Sequence, residues 1–101
     1  MVIEMKGFGR SLVTRAAGRA AYADIVGHVM SAEDVVVFDF TGVETITNSF
    51  ADEVFGHLVY DLGLDELRER TAFRNISPFW AKVVRTAMDS RDSQRLMAAV
   101  C

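Results

Sequence analysis

Ser49, Asp52 and Glu53 fall close together in the stretch Val35 to Gly63, VVVFDFTGVETITNSFADEVFGHLVYDLG, with Asp39 before them and His57 after. A serine among carboxylates with a nearby histidine could act as a nucleophile, a phosphoacceptor or a helix cap. The nucleophile reading fails on spacing. A nucleophile elbow requires G-x-S-x-G, and Thr47 and Ala51 occupy the two glycine positions. His57 lies eight residues along the same predicted helix, roughly 12 Å away at about 1.5 Å per residue, too far to take the proton. No catalytic residue is therefore expected. As a cap, Ser49 beside Asn48 would pair with Asp52 in an approximate capping box, and Asp52 and Glu53 would suit the positive end of the helix. Such a cap contributes about 0.5 to 2 kcal/mol.

Other chemistry-bearing patterns are incomplete. Gly7-Phe8-Gly9 is followed by Leu12 where a dinucleotide fingerprint needs glycine, and there is no Walker loop. His28, His57 and Cys101 lack ligand spacing, so neither a metal nor another cofactor is expected. Asp39 ends a predicted strand, where an aspartate commonly hydrogen-bonds the following loop, here Thr41 to Thr47. The alternative is a small-ligand or enzymatic pocket built around Asp39, Ser49 and Asp52, with Arg15 as a contributor. Arg15 follows Thr14 at a predicted helix start, where a cation opposes the dipole. It calls for a partner among Asp39, Asp52 and Glu53, or for solvation.

The elements that would position these residues read as alternating strands and helices. Met1 to Lys6 alternates with the period of a half-buried edge strand, and a short return strand is predicted over Ser11 to Val13 after the Gly7 and Gly9 turn. Helical spacing runs from Thr14 to Met30 with an alanine-rich face. Val35 to Phe40 is too apolar for one exposed face and is predicted as the central strand. Ser49 to Leu62 places Phe50, Ala51, Val54, Phe55, Leu58, Val59 and Leu62 on one stripe, and Gly63 stops the helix. A polar link, Leu64 to Arg70, leads to a short strand over Thr71 to Ile76. Ser77-Pro78 then starts a helix that carries Phe79, Trp80, Val83, Val84, Ala87 and Met88 inward. In the last segment, Asp89 to Cys101, Asp89, Ser90, Asp92 and Ser93 interrupt that pattern, while Leu96, Met97 and Val100 have the spacing for one or two further helical turns. The order implies an α/β domain, a small, mostly parallel sheet packed with three to four helices, with the N-terminal strand a candidate for antiparallel pairing.

The 101 residues suit one domain, 1–101, which would bury about 60 to 68% of its unfolded surface. A net charge of -3 offers no field for phosphate backbones or anionic lipid, so neither nucleic acid nor membrane is expected as a partner. One cysteine, no exported-protein leader and no apolar run of bilayer length point to a soluble, cytoplasmic protein.

The central junction resembles that of STAS domains, the fold of bacterial anti-sigma factor antagonists, through Val36, Val37, Asp39, Thr41, Gly42, Val43 and Ser49. It is more similar still to the STAS-like family of bacterial domains. That likeness rests on Leu12, Thr14 and Arg15, on Asp39, Phe40 and Val43, on the block Ser49 to Glu53, and on Phe73 and Asn75, spanning about Ser11 to Arg85. The resemblance implies a non-enzymatic regulatory domain that binds a protein partner through the junction 41–53, a histidine-kinase-like ATPase or a sensor protein. It also implies Ser49 as the phosphorylated switch. Phosphate there would add about -1.5 to -2 charges beside Asp52 and Glu53. At about 6 Å in water the repulsion sums to roughly 2 to 3 kcal/mol, against a dipole gain of about 0.3 to 1. On sequence alone, phosphorylation either melts the helix start or is not the mechanism. A further reading is a homodimer that associates through Phe79, Trp80 and the C-terminal segment.

Overall fold

The computed structural model describes residues 1–100; Cys101 lies outside the described residues. The chain opens with a strand, Val2–Glu4 (β1), and a 3-10 turn over Met5–Phe8 that buries Met5. Ser11–Leu12 forms β2, and Arg15–Ser31 forms the helix α1. Thr14 caps α1, its Oγ1 accepting from the Ala17 N–H at 3.0 Å. Val36–Asp39 is β3 and Thr45–Ile46 is β4. One continuous helical rod follows in three parts: Asn48–Ala51 (α2), a π-helical turn over Asp52–Gly56, and His57–Leu62 (α3). Leu64–Arg70 (α4), Thr71–Arg74 (β5) and the long helix Pro78–Val100 (α5) complete the chain.

The strands β1, β3 and β5 form a sheet in the order β1-β3-β5 with both pairings parallel, and β2 and β4 form a separate parallel pair. The central place of β3 agrees with its apolar run. Registers align Ile3 with Phe38 and Phe38 with Phe73, and this row faces the helices. The π-turn residue Phe55 sits edge-on to Phe38 and Phe73 at 5.1 and 5.3 Å between ring centroids, joining sheet to helix. The neighbouring row, Val2, Val37 and Ala72, lies on the opposite, more exposed face.

Several expectations give way here. The N-terminal strand is an edge, as its alternation implied, but it pairs in parallel, because the chain crosses through α1 before β3 returns beside it. The return strand pairs with β4, which had been read as loop. The supposed polar link is a helix: Leu67 is buried one turn after Leu64, Asp65 and Glu66 sit in the first turn, and Arg68 and Arg70 sit in the last, as the dipole favours. Arg70 also donates to the Val29 and Met30 carbonyls, which the C-terminal end of α1 leaves open. The face α1 buries is Gly18, Ala21, Ile25 and Val29, while Ala16, Ala20 and Met30 are exposed. α5 runs unbroken through Asp89–Ser93, where Asp89, Ser90 and Ser93 are exposed to water rather than ending the helix. At its other end Phe79 stays 67% exposed, not inward. No helix among the described residues is long and apolar enough to cross a membrane.

Candidate functional site

The end of β3 is held by one carboxylate. Asp39 is 9% exposed and accepts four hydrogen bonds: from the Thr41 N–H at 3.0 Å, the Thr41 hydroxyl at 2.7 Å, Asn75 Nδ2 at 3.1 Å and Arg74 Nη2 at 3.1 Å. These donors, the Thr41 backbone first and its hydroxyl next, hold the Asp39 carboxyl far below its ordinary value near 3.8. Asn75 reaches its position from a left-handed backbone, φ 57°, which asparagine tolerates better than most residues. The Phe73-x-Asn75 pattern thus has a physical purpose: it ties the β5 turn to the β3 turn.

The junction loop ends at Thr47, and Thr47 is the helix cap. Its Oγ1 accepts from the Phe50 N–H at 3.3 Å and donates to the Val13 carbonyl at 2.5 Å. Because Ile46 is locked beside Leu12 in β4, Thr47 is the residue that leaves the strand and turns into the helix. The expected Ser49 cap is therefore not formed. Asn48 is the first helical residue and exposed, and Ser49 is half-buried in the first turn, its hydroxyl without a hydrogen-bond partner among the described residues.

Asp52 and Glu53 do not serve the helix start either; they stand in the π turn and bind arginines. Arg15 Nη1 donates to Asp52 Oδ2 at 2.8 Å and to Glu53 Oε1 at 2.9 Å, while Arg19 lies 4.0 Å from Glu53. From α5, Arg91 donates through Nε to Asp52 Oδ1 at 2.6 Å and through Nη2 to Oδ2 at 2.9 Å, a two-point grip. Arg91 first, then Arg15, lowers the Asp52 carboxyl against the opposing effect of burial, and both guanidiniums are raised in return. Two glycines permit this close packing. A Cβ on Gly18 would stand 2.7 Å from Glu53 Cβ, and one on Gly56 would stand 2.8 Å from Arg91 Cγ and 2.9 Å from Asp52 Oδ1. A π turn widens the helix by one residue, a feature that recurs at functional sites.

Of the residues singled out in sequence, Asp39, Thr41 and Asn75 form one cluster. Thr14, Arg15, Asp52 and Glu53 belong to another, Thr14 by capping the helix that Arg15 begins. Asp39, Ser49 and Asp52 do not converge on either described cavity: one of about 390 Å³ is lined by Phe40, Thr41, Gly42, Val43, Asn75, Ser77 and Trp80, and neither includes Ser49 or Asp52. Arg91, Arg74 and Thr47 were missed. Arg91 continues the Val84, Ala87, Met88 stripe by one turn, the signal that could have drawn attention to it. A third polar group joins α1 to α3: the Tyr22 hydroxyl donates to Asp61, and the Tyr22 ring stacks on His57 at 3.8 Å. Burial, then Asp61, pushes the Tyr22 hydroxyl well above its usual range. No group of three or more potential metal ligands occurs among the described residues.

A small parallel sheet with its buried face under helices, and a polar junction leading from its central strand into a helix, defines a STAS-like α/β domain. A family profile matches residues 17–78, and the chain belongs to that family, described as STAS-like domain of unknown function (DUF4325). The matched stretch is shorter than the resemblance suggested: Arg15 precedes it and Arg91 follows it. No curated protein and no solved structure matched the chain.

Proposed function

We propose that this chain is a non-enzymatic regulatory domain that docks a partner protein through the junction 41–53. The partner would be a histidine-kinase-like ATPase or a sensor protein, with Ser49 as the modified residue. The observation that carries this reading is the division of labour at the helix start. Thr47 does the capping, so the Ser49 hydroxyl is left uncommitted on a junction held from both ends, by Asp39 on one side and Thr47 on the other. Thr41, Gly42, Glu44 and Asn48 are exposed there and available for contact. A loop already fixed in shape loses little entropy on binding.

The electrostatic objection to phosphate at Ser49 also weakens. Asp52 and Glu53 carry two negative charges, and Arg15 and Arg91, in hydrogen-bond contact with them, carry two positive ones. Their sum near Ser49 is about zero, so the repulsion estimated for bare carboxylates largely vanishes. An incoming phosphate would compete with Asp52 for Arg15, which couples modification to the α1 contact. The test is incubation with the candidate ATPase and ATP, mapping of modified residues by mass spectrometry, and binding measurements with Ser49→Ala and Ser49→Asp. Modification at Ser49 and loss of binding by Ser49→Asp are expected. A partner that binds Ser49→Asp as tightly as the wild type would sink the switch.

A further inference from the structure

Outside the junction, a second cavity of about 300 Å³ opens between α4, β5 and α5. Leu64, Phe73, Ile76, Val84 and Met88 give it an apolar lining. The one hydroxyl on its wall, Thr71 Oγ1, already donates to the Leu67 carbonyl at 2.7 Å. Polar recognition is therefore left to the charged residues that line it, Arg68 from α4, Arg85 from α5, and Asp89 one turn beyond Arg85. Arg70 and Arg74, close to them in sequence, have carboxylate partners, but Arg68 and Arg85 form no ion pair among the described residues. Two unpaired guanidiniums and one carboxylate leave a net positive rim beside an apolar cavity, in a chain whose overall charge is -3.

We propose that this cavity binds a medium-chain aliphatic carboxylate, its chain among Leu64, Phe73, Val84 and Met88 and its headgroup between Arg68 and Arg85. The volume is at the small end of ligand sites, roughly 300 to 1,000 Å³. It admits about ten water-sized groups at about 30 Å³ each, which matches the heavy atoms of octanoate. A polar sugar or nucleotide would leave its hydroxyls unsatisfied against this lining. The planar guanidinium suits a carboxylate, which it can hold through two parallel hydrogen bonds. The site is independent of the docking surface at 41–53.

Calorimetric titration of the intact chain with octanoate and with 1-octanol separates the two parts of the claim. Octanoate should bind about fivefold to tenfold tighter than octanol, the margin two exposed guanidiniums supply. Arg68→Gln with Arg85→Gln should bring octanoate down to the level of octanol and leave octanol unchanged. Ala81→Phe, which fills the cavity from α5, should abolish both. Should that variant fail to fold, the wild-type series from butanoate to octanoate decides: affinity should rise about fourfold per methylene and level off once the cavity is full. Octanoate binding no tighter than octanol, unchanged binding by a folded Ala81→Phe variant, or a chain-length series without rise would each overturn the proposal.

Discussion

Arg91 grips both carboxylate oxygens of Asp52, at 2.6 and 2.9 Å, and so fastens the C-terminal helix to the π turn beside the junction. Asp52 simultaneously accepts from Arg15, so a single carboxylate joins α1, the π turn and α5. The three elements share an anchor that lies one turn from Ser49.

Breaking this anchor should loosen α5. Arg91→Ala is expected to lower stability by about 1 to 2 kcal/mol, since it removes a charge-assisted, partly covered pair and leaves Asp52 with Arg15 alone. Urea unfolding of Arg91→Ala, Asp52→Asn and the double variant should give a coupling near 1 kcal/mol; simple additivity would mean the contact contributes nothing.

Gly56 and Gly27, two helix glycines in different surroundings, should respond to alanine with opposite signs. Gly56→Ala forces a Cβ against Arg91, Asp52 and the Ala87 carbonyl, which lies 3.3 Å away, and should cost about 1 to 3 kcal/mol. Gly27→Ala meets nothing within 4 Å inside α1 and should stabilise by about 0.4 to 1 kcal/mol. Thermal melts of the two variants check both signs.

Capping provides a direct test of which hydroxyl starts the helix. Thr47→Ala should cost about 0.5 to 2 kcal/mol, because the Phe50 N–H and the Val13 carbonyl both lose a partner. Ser49→Ala should change stability by less than about 0.5 kcal/mol. The reverse order in chemical denaturation would return the cap to Ser49.

Acid should weaken the fold through Asp39 and Asp52. Both carboxyls have folded values below their ordinary one near 3.8, so their contribution is complete above that pH and is lost as pH falls from there through the depressed values. Stability measured between pH 5 and pH 2 should therefore decline with acid, and the decline should be shallower in Asp39→Asn. A pH-independent midpoint over that range would contradict the bonding described for both residues.

Much of this domain was legible in the sequence because it rests on local periodicity. The stripe from Phe50 to Leu62 specified the helix and its buried face, the run at Val35 to Phe40 specified the central strand, and Ser77-Pro78 specified where α5 begins, whereas the side of the sheet that carries Val37 proved only partly covered. Asp39 stood out by its place at the end of the strand and Asn75 through the family resemblance alone, and the family assignment over 17–78 agrees with that resemblance. A hydrophobic period reports which side of an element is buried, and it does so without reference to the rest of the chain.

Contacts between distant segments were decided only by the tertiary structure. Thr47 and Ser49 are both competent caps; the choice fell to Thr47 because Ile46 pairs with Leu12 and the Val13 carbonyl lies within reach of the Thr47 hydroxyl. Asp52 and Glu53 were candidate partners for Arg15 from the sequence, with Asp39 as a third; packing chose the first two and brought Arg91 of α5 to Asp52 as well. The chain itself determined a strand, a junction and an amphipathic helix; packing determined which charges meet there, because ion pairing depends on distances that residues 37 to 39 positions apart acquire only when the helices close on one another.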